Sequence, residues 1–191
     1  ILLIMDPYPI GSLLGDIATV AALILLGSLF VAAEIALVSL RESQVRQLST
    51  RGKRGAKLST LTSNPSRFLA AVQVGVTLCG FLSAALGAER LGVYVIPNLI
   101  DLGLSEDAAN VTSLVGVTLV IAYFSLVFGE LVPKRLALFR TEEISLWSAA
   151  PIDFTAKFFR PVIWLLSKST DAVVRIFGID PKEQRSQMSE E

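Results

Sequence analysis

The residues best suited to chemistry in this chain are an acid and a proline that close a long apolar run. Residues 111–128 are apolar enough for lipid, and they lead into Gly-Glu-Leu-Val-Pro-Lys at 129–134. A carboxylate such as Glu130 is costly in a membrane unless a cation offsets its charge. Pro133 has no N–H, so in a helix the Gly129 carbonyl four residues before it loses its hydrogen bond. A carboxylate beside a freed carbonyl oxygen, with no side chain at Gly129 to block approach, is a ligand set typical of a hard divalent cation.

A second interpretation of Glu130 needs no metal. Lys134 follows it at the i,i+4 spacing, at which opposite charges on a helix attract each other. Both interpretations are compatible, because Lys134 can balance the carboxylate when no cation is bound.

The composition limits the class of protein and the kind of metal site. The chain has 191 residues, 52% of them hydrophobic, and its mean hydropathy is +0.61. These values are too apolar for a soluble domain of this size. There is no histidine and only one cysteine, Cys79, so any metal is expected to be held by oxygen. The absence of histidine also excludes a Ser-His-Asp triad, and we expect no enzyme.

Three segments are long and apolar enough to span a bilayer, which requires about 20 residues. They cover residues 13–40, 68–91 and 111–130. The first is not a signal peptide, because it is too long and lacks a basic leading region. Residues 41–67 hold seven basic side chains against one acid, whereas residues 89–107 hold four acids against one base. The positive-inside rule therefore predicts an extracytoplasmic N-terminus and a cytoplasmic C-terminal part in an inner or plasma membrane.

The sequence between and after the spans predicts the remaining organisation. The first helix is expected to run on toward Gln47, because no glycine or proline stops it before Gly52. Pro97 is expected to interrupt the outer loop, and Pro151 and Pro161 to break the region that follows the third span. We divide the chain into a three-span domain (1–140), a belt of amphipathic juxtamembrane helices (141–178) and a linker (179–191). The fold class is an all-α membrane protein with amphipathic helices at the cytoplasmic face.

Other polar residues within the spans are candidates for an ion site. Glu34 lies in an apolar run and is either a coupling-ion site, a dimer contact or a carboxylate that reaches water near Arg41. Ser28 and Thr77 offer neutral oxygens on the first and second spans, and Ser83 lies further along the second. The common alternative for a serine is a hydrogen bond to the carbonyl one turn back.

Three ordered motifs resemble the transmembrane domain of the CorC/CNNM family of magnesium transporters. They are Phe-Val-Ala-Ala-Glu-Ile-Ala-Leu-Val-Ser-Leu at 30–40, Leu-Ala-Ala-Val-Gln-Val-Gly-Val-Thr-Leu at 69–78 and the Gly-Glu-Leu-Val-Pro-Lys motif at 129–134. The resemblance implies a homodimer of three-span protomers and export of Mg²⁺, with Na⁺ entry as the coupled movement. It carries Gly129 and Glu130 over as ligands. Other members tend to have Ser or Asn where this chain has Gly27, Val31 and Val76, and Ser28 and Thr77 are our substitutes.

The resemblance also implies which parts and partners to expect. The last residues resemble the join to a pair of cytoplasmic CBS domains, which would carry the ATP site and are not in this sequence. We expect the lipid bilayer and a second copy as partners, and neither nucleic acid nor a small-molecule substrate. The alternative function is a membrane Mg²⁺ sensor or scaffold that regulates another channel without transporting.

Overall fold

The structure is a computed structural model and describes residues 10–177, which form helices and no strand. Three stretches within it are long and apolar enough to cross a membrane: Gly11–Ser39, Pro65–Asp101 and Glu106–Phe139. The three predicted spans and the all-α class are thus confirmed. In chain order, the elements are α1 (Ile10–Ser39), α2 (Glu42–Ser49), α3 (Gly52–Thr62), α4 (Pro65–Asp101), α5 (Glu106–Phe124), a π-helical segment (Ser125–Leu131), α6 (Val132–Phe139), α7 (Thr141–Phe158) and α8 (Arg160–Ile176).

The central helix of the bundle is α4, which packs against α1 and α5 and also touches α7 and α8. Its small residues allow this, because small side chains let helix backbones approach closely in lipid. A Cβ on Gly75 would lie 2.6 Å from the Phe30 ring of α1, and one on Gly87 would collide with Ile121 of α5. These glycines therefore set the spacing between the three spans.

A second layer closes one end of the bundle, which we call the basal end. It is the end at which α1 stops and α4 begins, and it holds α2, α3, α7 and α8. One apolar core ties α1, α2, α3, α4 and α7 together there through Ala33, Leu37, Leu48, Leu58, Leu61, Phe68, Val72, Ala149 and Ile152. A smaller cluster joins α4 to α7 and α8 through Ala71, Val74, Ala156 and Ile163. The opposite, apical end holds the turn between α4 and α5.

The first helix does not run on toward Gln47, so that prediction was wrong. It ends at Ser39, and the backbone is extended at Arg41 (φ −77°, ψ 152°) before α2 begins. The Gln44 side chain accepts a hydrogen bond from the Arg41 N–H at 3.0 Å, which satisfies a donor at the start of the new helix. The break also lets α2 turn so that Leu48 is fully buried in the basal core.

Two prolines do not act as predicted. Pro97 lies inside α4, which continues to Asp101, and the Asn98 amide donates to the Tyr94 carbonyl at 3.0 Å beside the missing bond. Pro151 lies inside the unbroken α7, whose buried face offsets the loss of one backbone bond. Pro161 was predicted correctly, because a break precedes it and it stands in the first turn of α8.

The third spanning helix begins as its sequence indicates. The Ser105 hydroxyl accepts a hydrogen bond from the Ala108 N–H, and Glu106 and Asp107 occupy the first turn. Acidic side chains at that position interact favourably with the helix dipole. The predicted linker at 179–191 lies outside the described residues, as does Gly178, the last residue of the predicted belt.

Candidate cation site

The third span widens into a π-helix around the acidic motif. The Val132 N–H bonds the Val127 carbonyl five residues back instead of the one four back. Pro133 comes next and has no N–H to donate. In the π register, the carbonyl that lacks this donor is that of Phe128, and in the α register that resumes it is that of Gly129. The orphaned main-chain oxygen of this helix therefore lies at one of these two residues, beside Glu130.

A small cavity of about 50 Å³ lies where the three spans meet at this segment. A water molecule needs about 10–15 Å³ by this kind of measure, so the cavity has room for more than one water-sized ligand. Its lining residues come from α1, α4 and the π segment: Leu23, Ile24, Gly27, Val31, Val76, Cys79, Gly80, Ser83, Ser125, Gly129 and Glu130. Gly129 itself is buried, and a Cβ placed on it would meet Ile24 and the Ser125 hydroxyl at ordinary van der Waals distance.

Glu130 forms the ion pair with Lys134 that the i,i+4 spacing predicts. The Lys134 Nζ donates to the Glu130 Oε2 at 3.1 Å, and the two side chains are 42% and 45% exposed. Within residues 10–177, no group of three or more acidic or cysteine side chains converges to hold a metal. A cation in this cavity would therefore meet one carboxylate, with neutral oxygens as its other protein ligands.

The two neutral-oxygen substitutes proposed from the sequence do not line this cavity. Ser28 is nearly buried, and its hydroxyl donates to the Leu25 carbonyl at 2.7 Å, which is the common structural role of a helical serine. Thr77 receives a long hydrogen bond of 3.4 Å from Gln73. It lines a separate groove of about 540 Å³ between α4 and α5.

Ser83 and Ser125 are the hydroxyl-bearing residues that do line the cavity. Ser83 is 1% exposed, and its hydroxyl donates to the Gly80 carbonyl at 3.0 Å. Ser125, at the start of the π segment, was missed by the sequence analysis. Its signal was a single hydroxyl in an apolar run, one turn before Gly129. Both serines, together with Glu130, also line the α4–α5 groove and so separate it from the cavity.

The three positions at which the family resemblance leads us to expect Ser or Asn all face the cavity. Gly27 and Val31 line it from α1, and Val76 lines it from α4. None of these side chains carries an oxygen, so the wall that they form is apolar.

Glu34 lies on the face of α1 that reaches the cavity. Seven residues separate it from Gly27, which is close to two full turns and about 10 Å along the axis toward the basal end. Glu34 is half-buried. Among the described residues it has no ion-pair partner, and Arg41, its expected neighbour, is not paired with it either.

A polar cluster that the sequence analysis missed joins α1 to α4 at the apical end. The Asp16 carboxylate pairs with Arg90 at 3.3 Å and accepts a hydrogen bond from the Tyr94 hydroxyl at 3.1 Å. The Ser12 and Tyr94 hydroxyls lie 2.9 Å apart. The Asp16 side chain is only 19% exposed, so this cluster holds the two helices together above the cavity.

Comparison with known proteins adds independent evidence. The family model for the cyclin M (CNNM) transmembrane N-terminal domain matches residues 17–191. The UPF0053 protein sll0260 of Synechocystis is 42% identical over 162 residues, which are 84% of this chain and 36% of the relative. YrkA of Bacillus subtilis is 32% identical over 85% of this chain and 38% of its own length. A polyamine export protein of Haemophilus influenzae is 27% identical over 95% of this chain and 42% of its own length. The chain thus spans about two fifths of the length of these relatives.

Proposed function

The chain belongs to the family of CNNM transmembrane domains, and from that premise we propose that it is the membrane part of a Mg²⁺ exporter. It is a multi-pass membrane protein, and a membrane transporter fits its family and relatives. The observation that carries the proposal is the position of Glu130, at a cavity between all three spans and next to the proline-orphaned carbonyl.

The chemistry of the cavity supports a small hard cation. Mg²⁺ takes oxygen ligands and keeps several waters, so it is commonly held by one or two carboxylates. Glu130, the backbone at Gly129 and the hydroxyl of Ser125 or Ser83 provide one charged and several neutral oxygens. Lys134 replaces the cation as the partner of Glu130 when the site empties. Such an exchange limits the affinity, which favours transport because a transported ion must also be released.

We assign the coupling-ion role to Glu34. Its carboxylate, which has no ion-pair partner among residues 10–177, lies about 10 Å toward the basal end on the cavity-facing side of α1. Na⁺ is the cation that the family resemblance implies for coupling. The dimer-contact alternative has a distinct outcome: substitution of Glu34 would then dissociate the protomers, whereas a coupling role predicts loss of Na⁺ dependence in an intact dimer.

A homodimer is the assembly that we propose, with the face between α4 and α5 as its interface. The groove on this face holds two threonines, two serines and the edge of the Glu130 carboxylate. Polar groups of this kind are costly against lipid chains, so a second protomer is a better cover. The proposed orientation places the basal end in the cytoplasm, because six basic residues lie between α1 and α4 and a seventh, Arg67, lies in the first turn of α4.

A polyamine is the second candidate substrate. The cavity wall is largely apolar, with Leu23, Ile24, Val31 and Val76 around one carboxylate, and an alkylammonium ion combines an apolar chain with a positive charge. The Haemophilus relative named as a polyamine exporter gives this candidate a precedent. Competition of spermidine with Mg²⁺ for the purified protein separates the two substrates.

Transport by the purified protein in liposomes tests the proposal. We expect Mg²⁺ flux without any other protein, and absence of flux despite Mg²⁺ binding would support the sensor or scaffold alternative. Glu130→Gln should weaken Mg²⁺ binding by about tenfold or more, because interactions with a charged group contribute about 1.5–3 kcal/mol. Glu143→Gln is the matched control, since Glu143 also pairs with a basic residue one turn away but is 74% exposed on α7. Unchanged binding and flux in Glu130→Gln would refute the site.

A further inference from the structure

A groove at the basal end has the form of a lipid-binding site. It measures about 620 Å³ and lies between the ends of α1 and α4 and the α2–α3 pair. Its apolar lining consists of Leu37, Val38, Leu40, Val45, Pro65, Phe68 and Leu69, and its polar lining consists of Glu42, Arg46, Ser59, Thr62 and Ser63. Hydrocarbon and hydrogen-bonding groups thus meet in one groove.

The apolar side of the groove is continuous with the lipid-facing surface of the spans. Val38 is 62% exposed near the end of α1, and Leu69 is 37% exposed near the start of α4. Both lie in stretches that are apolar enough to cross a membrane. The hydroxyl-bearing residues Ser59 and Thr62 of α3 line another part of the groove. An acyl chain can therefore follow the groove without leaving the hydrocarbon.

The charge of residues 41–67, the segment that supplies most of the groove's polar lining, is strongly positive and largely unbalanced. Three of the seven basic residues at 41–67 are paired: Arg46 with Glu42, Arg51 with Glu142 and Lys57 with Asp153. The other four are exposed and have no ion-pair partner among residues 10–177: Arg41, Lys53, Arg54 and Arg67. Arg41 and Arg67 adjoin lining residues of the groove directly in sequence. An anionic ligand is the complement of this surface.

We propose that the basal groove binds an anionic phospholipid, with an acyl chain along Val38 and Leu69 and the phosphate near Arg41 and Arg67. A second copy of this chain is a poor occupant, because a two-fold contact would bring the same excess of cations together from both sides. A zwitterionic lipid would fill the apolar part but leave the cations unbalanced. The proposal does not depend on which ion the protein transports.

Lipid retention tests the proposal directly. The protein is reconstituted in vesicles of phosphatidylcholine and phosphatidylglycerol at a ratio of about nine to one, extracted in mild detergent and analysed for bound lipid by mass spectrometry. We expect phosphatidylglycerol to be enriched over its share of the vesicle. The double variant Arg41→Gln/Arg67→Gln should reduce this enrichment by about fivefold or more, since each basic residue near an anionic surface contributes about 1 kcal/mol. The bond between Arg41 and Gln44 at the start of α2 is made by the Arg41 backbone N–H. Arg41→Gln keeps this bond.

Two further variants distinguish a built site from general attraction. Lys168→Gln/Arg175→Gln removes two exposed cations of α8 that have no ion-pair partner in the described part of the chain and should leave the enrichment unchanged. Leu69→Trp keeps every charge but fills the apolar side of the groove, so it should lower retention of both lipids. Absence of enrichment in the unmodified protein, or equal losses in the two charge variants, would overturn the proposal. So would efficient disulfide formation between protomers through Val38→Cys in a Cys79→Ser background, because a second copy would then cover the groove.

Discussion

Val76→Thr is predicted to strengthen Mg²⁺ binding. Val76 lines the cavity from α4 and is one of the three positions at which the family resemblance leads us to expect an oxygen-bearing side chain. Threonine has nearly the same shape as valine, with a hydroxyl in place of one methyl group. The substitution therefore adds a neutral oxygen to the wall without changing the volume of the cavity.

The magnitude follows from two opposing contributions. A hydrogen-bonding group that faces a charged partner contributes about 1.5–3 kcal/mol. Against this, a helical threonine gives up a bond to the carbonyl one turn back when it turns toward the ion, which costs about 0.5–1.5 kcal/mol. The difference is about 1 kcal/mol, so the dissociation constant for Mg²⁺ should fall by about fivefold.

Isothermal titration of the purified protein with Mg²⁺ measures this change. Val74→Thr is the control, because Val74 lies on the same helix but is buried in the apolar cluster with Ala71 and Ile163, away from the cavity. That variant should lose stability without a change in affinity, since its hydroxyl is buried among apolar side chains.

Two results would refute this reasoning. Equal affinities for Val76→Thr and the unmodified protein, with the fold intact, would mean that the ion does not reach this wall. A gain that persists when Glu130 is replaced by Gln would mean that the hydroxyl acts at some other site.

Three further predictions concern the packing, the basal ion pairs and access to the cavity. Gly87→Ala should lower the free energy of unfolding by about 1–3 kcal/mol, because its new methyl group would collide with Ile121. Gly116→Ala is the control and should leave the free energy of unfolding unchanged, because a methyl group there meets nothing within 4 Å. Equal effects of the two variants on thermal unfolding would contradict this prediction. Asp153→Asn should lower the free energy of unfolding by about 1 kcal/mol, because this 12% exposed side chain pairs with two lysines. If this loss of stability does not become smaller as salt is added, an electrostatic origin is ruled out. Cys79, the only cysteine in the chain, lines the cavity but is buried, so a maleimide reaches it only when the helices part locally; bound Mg²⁺ should oppose that opening and slow the labelling, and unchanged labelling rates would place the ion elsewhere.

The local chemistry of the third span could be predicted from the sequence because it depends on neighbours in the chain. The Glu130–Lys134 pair follows from helical spacing, and the disturbance of the backbone follows from Pro133. The π register could not be predicted, since it depends on how the helix packs against α1 and α4. It also decides whether the orphaned oxygen is that of Phe128 or that of Gly129.

Features that join distant parts of the chain were out of reach of the sequence analysis. Asp16 and Arg90 are separated by 74 positions, and nothing in either local sequence indicates their contact. Ser125 was overlooked for a related reason, because a single hydroxyl on a helix is informative only when the neighbouring helices show which way it faces. The break at Arg41 was missed because burial of Leu48 in the basal core outweighed the local tendency to continue the helix.

The π-helical segment has a mechanical consequence for the part of the chain that follows it. Rewinding one such turn to α would rotate everything beyond it by about 100° and displace it by about 1.5 Å along the axis. Glu130 and Lys134 keep their i,i+4 spacing in an α-helix, so the pair would turn as a unit relative to α1 and α4, while α7, only a few residues further on, would be pulled along with α6. A single change of helical pitch therefore links the orientation of the Glu130–Lys134 pair to the position of the basal helices.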